Sequence, residues 1–137
     1  MNKIFLYALL LLTSLAYSQT SFSFETIFNS KNGNYNKEEN LHFYLDSKAG
    51  DLRVQDIKTK MVYNIKCTYI KTSKDNFDAI YTDYYRLNTD VNRFIQITYV
   101  DKSYKVLVLE FVDNKNKEKQ VHFTQYGAEM IEKYKPN

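Results

Sequence analysis

The feature that most constrains this fold is a strict alternation of apolar and polar side chains within short segments. Met61, Tyr63, Ile65, Cys67 and Tyr69 occupy every second position, and three of the four residues between them are polar. Successive side chains of a β-strand point to opposite faces, so a period of two is typical of a strand with one buried face. The segment is therefore predicted to be a β-strand.

Similar segments follow one another along the chain and are separated by polar turns. The predicted strands cover residues 20–28, 41–46, 52–57, 61–69, 77–87, 93–100, 104–112 and 119–125, and residues 29–40 are predicted to form a long polar loop. The connections are short and carry no helix, which requires antiparallel pairing. The predicted fold is all-β, an eight-stranded up-and-down meander closing into a barrel or half-barrel, because closure removes exposed edges. A two-sheet β-sandwich is the alternative.

The seventh predicted strand departs from the alternation. Its run Val106-Leu107-Val108-Leu109 is apolar on both faces, so both faces need cover. Residues 128–135 place Met130, Ile131 and Tyr134 on one helical face, which predicts a short C-terminal helix packed on the seventh or eighth strand. A homodimer interface would explain the apolar strand equally well.

The strand count and the terminal helix resemble lipocalin-like barrels. The resemblance lies in strand spacing, and the Gly-x-Trp motif typical of that family is absent because the chain has no tryptophan. The resemblance therefore concerns architecture and gives no residue a role.

The N-terminus has the three regions of a secretory signal. A start with Lys3 is followed by an apolar run over residues 4–15, and Ala16 and Ser18 stand at the small-residue positions of a cleavage site. Residues 1–18 are predicted to be a cleaved signal peptide and residues 19–137 a single β-rich domain. The mature protein is then expected to be periplasmic or extracellular, without lipidation and without an integral membrane span.

Composition excludes several other classes. With 44% hydrophobic residues the chain is not a disordered tail, and a single cysteine excludes a disulfide-stapled scaffold. A formal net charge of +3 does not indicate nucleic-acid binding, which export also disfavours.

Few residues suggest catalysis, a metal or a cofactor, and none is predicted. His42 and His122 are far apart in the sequence and fall on the polar faces of their predicted strands, which disfavours a metal site. Cys67 lies between Ile65 and Tyr69 on an apolar face, where a thiol is structural rather than nucleophilic. An enzyme would need an acid–base pair that the sequence does not group.

The leading functional hypothesis is an exported, non-catalytic binding protein that holds a small apolar or amphipathic ligand in the barrel interior. Glu110, in the middle of the apolar strand, is the candidate polar anchor, with Arg86 or Arg93 as its partner. The candidate lining consists of Tyr63, Tyr69 and Tyr81 together with Phe22, Phe24, Phe43 and Ile65. The same alternation also describes a filled core.

A protein-interaction module is the alternative function, for example an inhibitor, an immunity factor or an envelope adaptor. Small size, the lack of a catalytic set and the predicted polar loop at residues 29–40 favour it.

Overall fold

The computed structural model describes residues 21–75, 79–100 and 105–134 and confirms an all-β barrel with a short C-terminal helix. The predicted signal peptide and the predicted turn at residues 101–103 lie outside the described residues. The elements are β1 (Ser21–Lys31), β2 (Asn34–Asp46), β3 (Asp51–Asp56), β4 (Val62–Lys74), β5 (Ile80–Leu87), β6 (Asp90–Val100), β7 (Lys105–Asp113), β8 (Glu118–Phe123) and α1 (Gln125–Tyr134).

The eight strands follow one another around the barrel in chain order, and β1 pairs with β8 to close it. The sandwich alternative is therefore wrong. Because neighbouring strands run in opposite directions, the β1–β2, β3–β4, β5–β6 and β7–β8 turns share one end of the barrel, called here the mouth end. Helix α1 follows β8 at the opposite end. In the described part of the chain, no helix is long and apolar enough to cross a membrane.

Alternation along each strand builds the core. Apolar side chains from the seven strands β1 to β7 meet inside the barrel and fill its middle. Full burial of a large apolar side chain is worth about 1.5–3 kcal/mol. The side chains with no exposed surface include Phe43, Leu45, Leu52, Tyr85, Ile95, Ile97 and Leu109.

The predicted loop over residues 29–40 is wrong. β1 continues to Lys31 and β2 begins at Asn34, so the connection is a two-residue turn of Asn32 and Gly33. Both have positive φ, 51° and 84° respectively, as expected of an Asn-Gly hairpin turn. The polar stretch before residue 41 is thus strand, not loop.

A β-bulge explains the unbroken apolar run of β7. Tyr99 pairs with Val106 and Thr98 with Val108, so Leu107 is an extra residue. As a result Val106 faces the core while Val108 faces outward. Glu110 shares the outward face, since it lies between the core residue Leu109 and the core-packed Phe111.

Helix α1 packs against β7, with further contacts to β8 and β1, as predicted for the seventh or eighth strand. It begins at Gln125 rather than at residue 128 because Thr124 caps it. The Thr124 hydroxyl donates to the Val106 carbonyl oxygen at 2.7 Å and accepts the Gly127 N–H at 3.0 Å.

Strand β4 changes neighbour half-way along its length. Residues 62–66 pair with β3, whereas residues 67–74 pair with β5, which ends opposite Cys67. The first half of β4 therefore extends beyond the end of β5 at the mouth end.

A comparable gap occurs where β8 ends. β1 pairs with β8 only through its last residues, from Phe28 onward, and β7 continues past Phe123, the last residue of β8. Helix α1, which contacts both β7 and β1, covers this second gap.

Candidate functional site

A pocket of about 320 Å³ opens at the mouth end of the barrel. Its apolar walls come from different strands, with Ile65 on β4, Leu87 on β5 and Phe111 on β7. All three belong to the core or pack against it, so the pocket floor is the upper surface of the filled barrel. The remaining lining residues are Lys31, Arg93, Phe94, Val112, Asp113, Glu118, Lys119 and Gln120.

Charged side chains surround this apolar floor. The Arg93 Nε lies 3.4 Å from Asp113 Oδ2 and 3.5 Å from Asp90 Oδ2, so the guanidinium is held by two carboxylates. The Asp113 carboxylate also accepts backbone N–H groups of the β7–β8 turn, and these bonds lower its pKa below the ordinary value. A pocket with an apolar floor and a charged rim suits a small amphipathic molecule.

A buried polar cluster lies directly beneath the floor. The His122 ring is 5% exposed and sits 5.6 Å from the Phe111 ring and 5.3 Å from the Phe43 ring, measured between centroids. Its Nδ1 lies 2.7 Å from Glu39 Oε1. Since an ionised carboxylate only accepts, Nδ1 carries the proton of this hydrogen bond.

Glu39 is ionised inside the wall because several donors converge on it. Thr26 donates its hydroxyl at 2.9 Å and Asn29 its amide at 2.8 Å, in addition to His122. Burial alone would raise the pKa of Glu39, but these hydrogen bonds and the His122 charge outweigh it, so the pKa is lowered.

A second buried carboxyl group, that of Asp83, has the opposite character. It is 3% exposed, and its Oδ1 accepts the Thr72 hydroxyl at 2.6 Å and the Tyr99 hydroxyl at 3.0 Å. Burial raises its pKa, and the neutral hydroxyl donors offset this effect only in part. Glu39 differs from Asp83 in that a histidine imidazole is among its donors.

Tyrosine rings surround Asp83 and extend the network toward the surface. The Tyr69 hydroxyl and the Thr72 hydroxyl share a hydrogen bond of 2.6 Å, while Tyr81 stacks on Tyr99 with centroids 5.8 Å apart. Tyr85 shares a hydrogen bond of 2.6 Å with Ser47, and burial raises its pKa. Asp83 is thus linked to the surface through hydroxyl groups.

The structure separates the three tyrosines proposed from the sequence as ligand-lining residues. Tyr63 is 55% exposed near the mouth end, two residues before the pocket residue Ile65. Tyr69 is 45% exposed, and Tyr81 packs against the core in the Asp83 cluster. Tyr69 and Tyr81 therefore share one cluster, and Tyr63 lies apart from it.

Glu110 and Arg86 are not brought together. Glu110 lies on the outer face of β7, where Lys119 Nζ is 2.9 Å from its Oε2. The contact is an ion pair without hydrogen-bond alignment, since Oε2 has no hydrogen-bond partner. Arg86 is exposed on β5, and Arg93, the other suggested partner of Glu110, pairs with Asp90 and Asp113.

The other proposed lining residues belong to the core. Phe22 and Phe43 are buried within it, and Phe24 and Ile65 pack against it. Cys67 is buried as well, and burial raises the pKa of its thiol to about 11, which makes the thiol a poor nucleophile. Among the described residues, no three His, Cys, Asp or Glu side chains come together as a metal site requires.

The sequence does not reveal the Glu39–His122 pair, because His122 falls on the polar face of its predicted strand. β8 instead places His122 inside, where Glu39 satisfies it across 83 positions of sequence. Asp83 could have been found, since it alternates in register with the apolar side chains of Tyr81, Tyr85 and Leu87. A polar residue in that register is predicted to point inward.

Comparison with known proteins provides no family for this chain. No protein-family model matches it, and no curated protein matches it.

Proposed function

We propose that this protein is an exported, non-catalytic binding protein that holds a small amphipathic molecule in the pocket at the mouth end. The observation that carries the proposal is the 320 Å³ pocket with its apolar floor of Ile65, Leu87 and Phe111. This volume falls in the range of small-molecule sites, roughly 300–1,000 Å³. The ligand position differs from the interior expected at first, because the middle of the barrel is filled by side chains.

The rim chemistry supports an amphipathic rather than a purely apolar ligand. Lys31 is exposed at the end of β1, and Gln120 pairs with it across the β1–β8 ladder. An apolar portion can rest on the floor while a polar portion meets these rim groups. Export is supported by the signal-like N-terminus.

The first test is binding of an amphipathic fluorescent probe, anilinonaphthalene sulfonate, to the folded protein. Gln120→Trp is expected to weaken binding by about tenfold or more, because an indole placed at the rim occupies space that the probe needs. Gln96→Trp is the matched control. Gln96 is also half-buried, but it pairs with Glu110 on the outer face of the barrel, away from the pocket lining.

Native mass spectrometry of the protein purified from its own envelope fraction is the second readout. A mass excess of a few hundred daltons that Gln120→Trp removes and Gln96→Trp retains would support the proposal. Equal probe affinity for both variants, together with a bare chain mass for the wild type, would contradict it.

A further inference from the structure

The first half of β4 has a backbone edge without a strand partner among the described residues. The Asp56 N–H donates to the Met61 carbonyl oxygen, and the Cys67 N–H donates to the Gly50 carbonyl oxygen, each at 2.9 Å. The backbone groups of Met61, Tyr63, Ile65 and Cys67 therefore point toward β3. Because N–H and C=O of one residue point the same way in an antiparallel ladder, those of Val62 and Asn64 point away from β3.

No described strand meets the groups of Val62 and Asn64. The next residue on that edge, Lys66, is occupied, since its carbonyl oxygen accepts the Asn88 N–H at 3.0 Å. β5 ends at Leu87, opposite Cys67, so its ladder stops before it reaches Asn64. The gap on the other side of the barrel is covered by α1, whereas α1 has no comparable packing against β4 among the described residues.

The side chains along this edge are unusually apolar for an exposed surface. Met61, Val62 and Tyr63 are consecutive, and all three are exposed. An added β-strand recognises unpaired backbone groups beside exposed apolar side chains. Hydrogen bonds to the backbone groups provide affinity, and contacts with the side chains provide specificity. A helix or a compact small molecule would leave the backbone groups unpaired.

Charge around the edge favours an acidic partner over a second copy of this chain. Arg53 is exposed beside Asn64 in the β3–β4 ladder, Arg86 is exposed beside Thr68, and Lys60 is exposed in the β3–β4 turn. Among the described residues none of these three has an ion-pair partner, whereas Lys66 is paired with Asp51. Two copies joined at this edge would bring like charges together.

We propose that the open edge of β4 at Val62 and Asn64 binds an extended segment of a partner protein by strand addition. The segment carries apolar residues on the barrel side and acidic residues on the solvent side. This interaction is separate from small-molecule binding in the mouth pocket.

The test uses a capped nine-residue peptide in which valine and glutamate alternate, titrated into isotope-labelled protein. Hydrogen exchange of the Val62 and Asn64 amides is expected to slow by about tenfold or more on saturation, while the Cys67 amide, already in a ladder, is unchanged. A peptide in which lysine replaces glutamate is expected to bind more weakly. Equal binding of both peptides, or unchanged exchange at Val62 and Asn64, would overturn the proposal.

Val62→Pro removes the N–H that faces the open edge and leaves the β3 ladder intact, since proline is tolerated at the first residue of a strand. Peptide affinity should fall about tenfold. Val62→Thr is the matched control, because it keeps both the N–H and the β-branched shape. If Val62→Pro does not fold, a peptide with proline at its centre provides an equivalent test, because the proline removes a backbone N–H from the added strand.

Two results would contradict the proposal, either because a second copy of the chain occupies the edge or because the peptide binds in the mouth pocket. A concentration-dependent dimer in sedimentation that Val62→Pro dissolves would mean that a second copy occupies the edge. Loss of peptide binding in Gln120→Trp but not in Val62→Pro would place the peptide in the mouth pocket. Probe binding that survives Val62→Pro leaves the small-molecule proposal standing whichever result is obtained here.

Discussion

At the scale of single residues, burial raises the pKa of both Glu39 and Asp83, but the hydrogen-bond donors that oppose this effect differ between the two. Each carboxyl group is disfavoured as an anion by removal from water. Glu39 has the imidazole of His122 at 2.7 Å, whereas the donors to Asp83 are the hydroxyl groups of Thr72 and Tyr99. The pKa of Glu39 is lowered and that of Asp83 is raised, which gives their contributions to stability opposite pH dependence.

Glu39→Gln is expected to destabilise the protein by about 1–3 kcal/mol at neutral pH, since it removes the charge from these hydrogen bonds. The native pKa of Glu39 lies below its ordinary value of 4.5, so its contribution is fully present above that value and is lost as pH falls. Urea unfolding from pH 3 to 7 measures the difference. Glu38→Gln, at an exposed neighbouring position, should stay within about 0.5 kcal/mol of wild type.

Asp83→Asn is expected to show the opposite change of stability with pH, relative to wild type, from Glu39→Gln. The native pKa of Asp83 lies above its ordinary value of 3.8, so the native state holds its proton more tightly than the unfolded chain. Wild-type stability from this residue therefore falls as pH rises from about 4, and the neutral amide avoids that loss. In the same urea series, the stability of Asp83→Asn relative to wild type should increase with rising pH. Parallel curves of stability against pH for Asp83→Asn and wild type would contradict a raised pKa of Asp83.

At the scale of elements, the start of α1 depends on contacts that cross the chain. The sequence predicts the helix from its apolar face, but its first turn is set by the Thr124 hydroxyl, which is anchored to the carbonyl oxygen of Val106. Gly127 then packs directly on β7. A Cβ at this glycine would overlap the Leu107 carbonyl oxygen, so the close approach requires glycine.

Gly127→Ala is expected to destabilise the protein by about 1–3 kcal/mol, because the helix must move away from the backbone of β7. Helix propensity alone predicts the opposite, a gain of about 1 kcal/mol. Ala128→Gly, one residue later, is the control and should cost about 1 kcal/mol through propensity. Thermal unfolding of both variants separates the explanations: if Gly127→Ala stabilises, the packing argument is wrong.

Two elements could not be predicted well from their own residues. The polar first half of β2 contains the part-buried Glu39, which is satisfied by His122 from β8, a partner distant in sequence. The bulge at Leu107 arises from the pairing of β7 with β6, and it decides that Glu110 faces outward. A single strand read alone shows neither effect.

At the scale of the whole molecule, the closed barrel was predictable and the pocket was not. Eight short alternating segments with short connections admit few arrangements, and closure pairs the first strand with the last. The position of the pocket depends on the end of β5 at Leu87 and on the distance between the Phe111 and His122 rings. Such offsets between strands are set by register, which alternation within one strand does not specify.

The change of neighbour along β4 affects how the barrel wall can open. Its ladder to β3 runs through Lys66 and its ladder to β5 begins at Cys67. The two ladders overlap there, because the Cys67 N–H donates to the Gly50 carbonyl oxygen and the Asn88 N–H donates to the Lys66 carbonyl oxygen. Before this overlap, residues 62–65 of β4 are paired with a described strand on one side only, toward β3. Local opening of the wall at the mouth end therefore breaks fewer hydrogen bonds along this part of β4 than along a strand that is paired on both sides.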